Sequence, residues 1–305
     1  MYDSVRTYLE TNQKLNFNNL EYEKTIKNEK TGAESHFWRL NNLKIIECPS
    51  GIILNGSLPK YFYGHNLSTL TLRDTKLVIE NLSDFIKVNL NKSKVHEIHF
   101  ATNFIMKYKI NYYLDEFDEL NYFKKNFWSG TLYYTNSLKQ LIFYNKLQEM
   151  DKCNIPENLK KLTGQSLRYE LRFKKRIKQE FGRTIKLEEL HDEAFFYNML
   201  IKWKNYYFNI KKIPKIQQNN MNIKTKTDFN KAMILDVIET KGFDYVIDKM
   251  KKCEFNDVKT PSRIKREYRR IMNNMSNSDT NDLIKELDEK IIETVSIYGN
   301  GKRLD

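Results

Sequence analysis

The sequence predicts an α+β fold: an antiparallel sheet with flanking helices, followed by a mainly helical C-terminal region. Three observations carry this expectation. Residues from about 35 to 175 fall into short apolar runs bounded by Asn, Gly, Ser or Pro, as strands do. From Leu187 onward the apolar spacing is helical. Between them, Ser166 to Arg176 alternates charge and bulk for six residues and then turns densely basic. With side chains alternating along a strand, Arg168, Glu170 and Arg172 share one face, and Tyr169, Leu171 and Phe173 share the other.

Taken in order, Leu43–Cys48, Gly51–Gly56 and Lys60–Gly64 read as strands. Leu82, Phe85, Ile86 and Leu90 recur at helical spacing, so Asn81–Leu90 reads as a short amphipathic helix. Val95–Phe100 is a strand. Asp115–Phe127 reads as a helix, with acidic residues early and Lys124 and Lys125 late, which suits the helix dipole. Gly130–Tyr134 and Gln140–Lys146 form a hairpin joined by Thr135-Asn136-Ser137, which is turn chemistry. Pro156–Leu162 is a short helix or linker. The expected domains are 1–210, a polar linker at 211–227, and a helical, basic region at 228–305. Within the last, Asp228–Lys251 reads as a helical pair broken near Gly242, and Thr260-Pro261-Ser262 opens a basic helix over Arg263–Met272.

Composition narrows the functional classes. The chain has 305 residues and a formal net charge of +13, which favours a polyanionic partner. No apolar run is long enough to span a membrane, and the polar start of the chain has no secretory h-region. Cys48, Cys153 and Cys253 are too far apart for a metal-type pair and read as free thiols. No Walker-type phosphate loop is visible, which argues against an ATP-driven helicase.

Three strands then show one chemical face. Glu97 and His99 lie together opposite Ile98 and Phe100, and a carboxylate and an imidazole at that spacing can ligate one divalent ion. Ordinary surface residues give the same pattern. Tyr144 and Lys146 project together, opposite Leu141 and Phe143. A phenol with ordinary pKa ~10 is a poor nucleophile at neutral pH unless a cation lies close. Glu170 between Arg168 and Arg172 suits a metal-bound phosphate or a solvated ion-pair face. Together the strands hold an inventory for metal-assisted phosphoryl transfer.

The same segments resemble the gene II replication initiators of filamentous phages and their plasmid and phage relatives. Tyr63-Gly64-His65-Asn66 resembles that family's Gly-His-Asn motif. Leu167–Gly182, LRYELRFKKRIKQEFG, resembles its Arg-aromatic-Glu-x-Arg-x-Lys segment. Gly130–Glu149 resembles the segment with the catalytic tyrosine, which falls on Tyr144. Val95–Asn103 resembles its Arg-Ile-Asp strand, except that Glu97-Ile98-His99 stands in its place, so the ligands are either rebuilt or lost.

The resemblance covers roughly residues 60 to 185. It implies a rolling-circle initiator acting in the cytoplasm of a bacterial host on duplex and single-stranded origin DNA, with host replication machinery as a candidate partner. Tyr144 would form a phosphotyrosyl link, with Lys146 offsetting charge and Mg²⁺ or Mn²⁺ held by His99, Glu97 or Glu170. His65 and Asn66 would contact DNA or support the site. Arg168, Arg172, Lys174, Lys175, Arg176, Arg263, Lys265, Arg266, Arg269 and Arg270 are the candidate DNA contacts. A DNA-binding regulator without catalysis, and a relaxase or transposase, remain as alternatives.

Overall fold

The computed structural model describes residues 1–13, 20–150, 165–213, 223–257, 259–275 and 282–299. The expected helix or linker at Pro156–Leu162 lies outside these residues, as does 214–222 of the expected linker. The chain divides into two compact units, Met1–Ile110 with Glu119–Ile210 and Lys290–Asp305, and Asn111–Asp118 with Lys211–Glu289.

Among the described residues of the first unit, ten strands form one sheet: β1 (Tyr2–Glu10), β2 (Glu21–Lys27), β3 (Glu34–Leu40), β4 (Leu43–Cys48), β5 (Gly51–Ser57), β6 (Lys94–Met106), β7 (Lys124–Trp128), β8 (Thr131–Thr135), β9 (Lys139–Asn145) and β10 (Gln165–Phe173). Their order is β2-β3-β4-β5-β1-β6-β10-β9-β8-β7, with antiparallel pairing throughout. Two meanders therefore flank a central pair, β1 and β6. The antiparallel sheet and the helical C-terminal region are as the sequence predicts.

One face of the central strands carries the core. Tyr169, Leu171 and Phe173 are buried there, as the alternation requires. The helix Glu193–Phe208 covers them, its N-terminus capped by Asp192 Oδ1 accepting from Phe195 N at 2.8 Å. The Tyr169 ring lies between Phe143 (centroids 4.5 Å apart) and Trp203 (4.8 Å), and its hydroxyl donates to the Trp203 carbonyl at 2.9 Å. Phe196 packs edge-on against Tyr2 and Phe100. With the core on this side, the other face is left for chemistry.

Four local readings need correction. Lys60–Gly64 is not a strand but part of helix α1 (Leu58–Tyr63), started by the Ser57 cap and Pro59 and stopped by Gly64 at φ 79. The helix expected at Asn81–Leu90 is α2 (Leu72–Ile86), which begins earlier, at a Thr71–Asp74 capping box. Asp115–Phe127 is not a helix. Helix α3 (Ile110–Asp115) ends where that reading began, and Lys124–Trp128 is the edge strand β7. Ser129 and Gly130, at φ 49 and 74, form a two-residue hairpin turn, a stronger local signal than charges weighed against a helix dipole. Lastly, β9 stops at Asn145, whose side chain caps the short helix α4 (Lys146–Glu149), so Lys146 is not on the strand.

The second unit is helical. The helices Lys226–Lys241 and Phe243–Lys251 break at Gly242, at φ 87, as expected. Leu235, Ile238 and Phe243 form their shared core, with Val246 and Tyr268 against it. The helix Thr260–Met275 follows, and Asp282–Gly299 comes after it. No helix among the described residues is long and apolar enough to cross a membrane.

Candidate active site

The face opposite the core gathers one acidic or reactive group from each of four neighbouring strands. On β1, Tyr2 pairs with Phe100 on the core side, which turns Asp3 to the other side. On β6 the same alternation places His99 there, and on β10 it places Glu170. On β9, Tyr144 stands directly opposite Arg168 of β10. Asp3, His99 and Glu170 each offer a ligand atom, and these atoms lie within 4.8 Å of one another.

Arg168 holds this cluster together. It is only 3% exposed. Its Nη2 pairs with Asp3 Oδ1 at 3.1 Å and its Nε donates to Glu170 Oε1 at 2.7 Å. Its Nη1 donates to the Asn66 carbonyl and to Asn103 Oδ1, both at 3.1 Å. The expected surface contact with a DNA phosphate is therefore corrected. Arg168 faces two carboxylates inside the protein, and its donors are spent there. Arg172, partly exposed, donates from Nε to Glu170 Oε2 at 2.7 Å and sits at the rim.

Tyr144 Oη donates to Glu170 Oε1 at 2.8 Å. Burial is the main reason the phenol is pushed well above its ordinary value, and Glu170 pushes in the same direction against Arg168. Glu170 is also buried, which would raise its carboxyl, but Arg168 and then Arg172 outweigh that and hold it well below the usual range. Asp3 follows the same pattern: burial raises it, and Arg168, His99 and Asn66 bring it below its ordinary value. Both carboxylates therefore stay charged beside a neutral phenol.

Glu97 and His99 share a face as the alternation predicts, but Glu97 is outside the metal-capable trio. Its Oε1 lies 2.7 Å from His99 Nε2, and that bond lowers its carboxyl. Glu97 can thus orient the His99 ring. Asp3 takes the place given to Glu97, and sequence reasoning missed it. A register shift between Tyr2 and Val5 sets these two buried core residues three apart instead of two, which hid the strand and its buried carboxylate.

Lys146 is fully buried beside the site. Its Nζ lies 5.8 Å from the centre of the Tyr144 ring and pairs with Glu149. Burial, then Arg168, lowers its ammonium below the ordinary lysine value. Gly64 ends α1 and turns the chain so that Asn66 enters the cluster, where its Nδ2 reaches Asp3 Oδ1 at 3.4 Å. His65 instead stacks on Tyr63, and burial lowers its imidazole. Asn103, also missed, donates to the Asn66 and Leu67 carbonyls and so clamps the turn.

Of the basic residues, Lys175 and Arg176 are exposed just past β10, and Lys174 is half-buried. Arg263 and Arg266 are exposed on the helix Thr260–Met275, Arg263 pairing with Asp257 at 3.0 Å, and Lys265 is half-buried. The side chains of Arg269 and Arg270 lie outside the described residues.

A search of curated proteins gave no significant match. A family model for the N-terminal part of the phage replication-associated protein encoded by gene II matches residues 1–193. That span contains the whole sheet, the Asp3–His99–Glu170 cluster and Tyr144, and it covers well over half of the chain. The chain therefore belongs to the family of phage replication-associated proteins of the gene II type.

Proposed function

We propose that this chain is a rolling-circle initiator that nicks one strand of origin DNA with Tyr144 as the nucleophile. One observation carries the reading. Tyr144 Oη is hydrogen-bonded to the same carboxylate, Glu170, that belongs to the metal-capable trio. Nucleophile and ion site are then within reach of one phosphate.

In this reading Tyr144 Oη attacks the scissile phosphorus in line. Its proton leaves to solvent, because Glu170, which accepts the phenol's hydrogen bond, is held by Arg168 and Arg172 as too weak a base to keep it. The bond from phosphorus to the 3′-oxygen breaks, and that oxygen takes a proton from solvent. The 5′-phosphate stays on Tyr144, and the free 3′-hydroxyl is left for the host replication machinery to extend. Lys146 lies behind the ring and Arg172 at the rim, where each offsets charge building on the phosphate. The reverse transfer joins the displaced strand and needs no nucleotide.

Two carboxylates and an imidazole fit Mg²⁺ or Mn²⁺, and the imidazole favours Mn²⁺. Asp3, His99 and Glu170 would hold the ion, with Glu97 behind His99. When bound, it would polarise the phosphate and lower the proton affinity of the phenol. Arg168 and Arg172 already balance the two carboxylates, so metal affinity is modest. Residues 1–210 carry the chemistry and 228–305 add basic phosphate contacts. The protein acts on duplex and single-stranded origin DNA in the host cytoplasm.

The raised phenol favours one second reading, DNA binding without catalysis. Supercoiled DNA carrying the element's origin separates the two. The initiator gives nicked DNA with a protease-sensitive covalent band under Mn²⁺, lost in Tyr144→Phe and strongly reduced in Asp3→Ala. Binding without nicking under either metal supports the regulator. Nicking that survives Tyr144→Phe moves the nucleophile elsewhere.

A further inference from the structure

The face that carries Tyr144 continues past it to the sheet edge. Thr131 of β8 stands opposite Tyr144, and Trp128 of β7 stands opposite Thr131. Residues directly opposite in an antiparallel pair project to the same side. At about 4.8 Å per strand, Trp128 lies about 10 Å from Tyr144 along this row. The next rows on the same face add half-buried Tyr133 and exposed Lys124.

Trp128 is 70% exposed, although it adjoins a rigid two-residue turn at Ser129 and Gly130. The opposite face of the hairpin is anchored by buried Leu132 and Tyr134, so the core does not need the indole. A single exposed aromatic is ordinary by itself. This one stands in register with Tyr144, with Lys124 at the far end of the same strand and on the same face, on a chain of net charge +13.

We propose that Trp128, with Tyr133 and Lys124, is a stacking platform for bases of single-stranded DNA next to the scissile phosphate. The placement beside the cut rests on the reading of Tyr144 given above. A flat aromatic held on a rigid edge takes an unstacked base and tolerates any sequence, whereas a duplex hides the faces of its bases. Lys124 contributes a phosphate contact and its salt dependence. The platform orders the strand leaving the site, and so favours substrate that is already melted.

The test is the affinity of the full chain for a labelled oligothymidylate of about 16 nucleotides, measured by anisotropy without divalent ions so that nothing is cleaved. Trp128→Ala is expected to weaken binding by about 5- to 100-fold, Trp128→Phe far less, and neither to change binding to a matched duplex. Tryptophan fluorescence of the wild type falls on saturation, and Trp128→Phe removes most of that fall. Wild-type affinity in Trp128→Ala, equal losses on duplex, or quenching that persists in Trp128→Phe each overturns the platform. So does a change of oligomeric state in Trp128→Ala, which would make this edge a contact between copies. If the wild type fails to nick but the Trp128 effect holds, the nucleophile reading fails and the platform stands.

Discussion

Arg168 is the residue on which the site depends. It is buried between Asp3 and Glu170 and is held by the Asn66 and Asn103 turn. A charge pair of this kind contributes little over a well-packed apolar substitute, but removing one partner strands the other in a poor solvent. Arg168→Ala leaves buried Asp3 without its guanidinium partner and Glu170 with Arg172 alone, and is expected to cost about 3–5 kcal/mol in urea unfolding. If the chain nicks as proposed, the variant's loss follows from positioning, since the guanidinium points into the protein. Alternation along β10 makes the shared face of Arg168, Glu170 and Arg172 visible in the sequence. That the first two are buried is not visible, because their partners come from β1 and from the turn after α1.

At the scale of elements, the hairpin of β7 and β8 shows how a short turn sets the outer part of the site. Ser129 and Gly130 both have positive φ, so the two strands meet without a loop and Trp128 stands opposite Thr131. Gly130→Val puts a β-branched residue at φ 74 and is expected to cost about 1–2 kcal/mol by thermal unfolding. Oligothymidylate binding should weaken with it, because the indole loses its fixed support. The charge gradient over Asp115–Phe127 suggested a helix, yet a dipole preference of under about 1 kcal/mol yields to five paired residues and a matched turn. At Lys60–Tyr63 the cap and proline were legible and outweighed aromatic content.

For the whole molecule, charge couples stability to pH. Asp3, Glu97 and Glu170 all have folded-state values below their ordinary ones of 3.8 and 4.5. Their stabilisation is complete above about pH 4.5 and is lost as pH falls through the depressed values. Protonation also drives the net charge above its neutral-pH value of +13, which adds self-repulsion. The midpoint of thermal unfolding is therefore expected to hold from pH 7 to about 5 and to drop steeply below 4. Glu170→Gln should start lower and fall less steeply. An equal slope in that variant would show that the cluster is not what acid attacks.

Read alone, the residues specify the fold class, the alternation of β6, β9 and β10, the side of each strand that bears chemistry, and the positive charge suited to a polyanion. Those properties are local: period-two patterning, turn residues and composition need no knowledge of what lies across the sheet. The pairing of β1 with β6 is a property of the folded chain, and it brings Asp3 to His99 and Glu170 across roughly a hundred and then seventy residues of chain. So are the support that Glu97 gives His99 from outside the trio, the burial of Arg168, and the alignment of Trp128 with Tyr144. The physical reason is strand order. Which carboxylates could share an ion depends on which strands are neighbours, and β1, β6, β10 and β9 are neighbours only in the folded sheet.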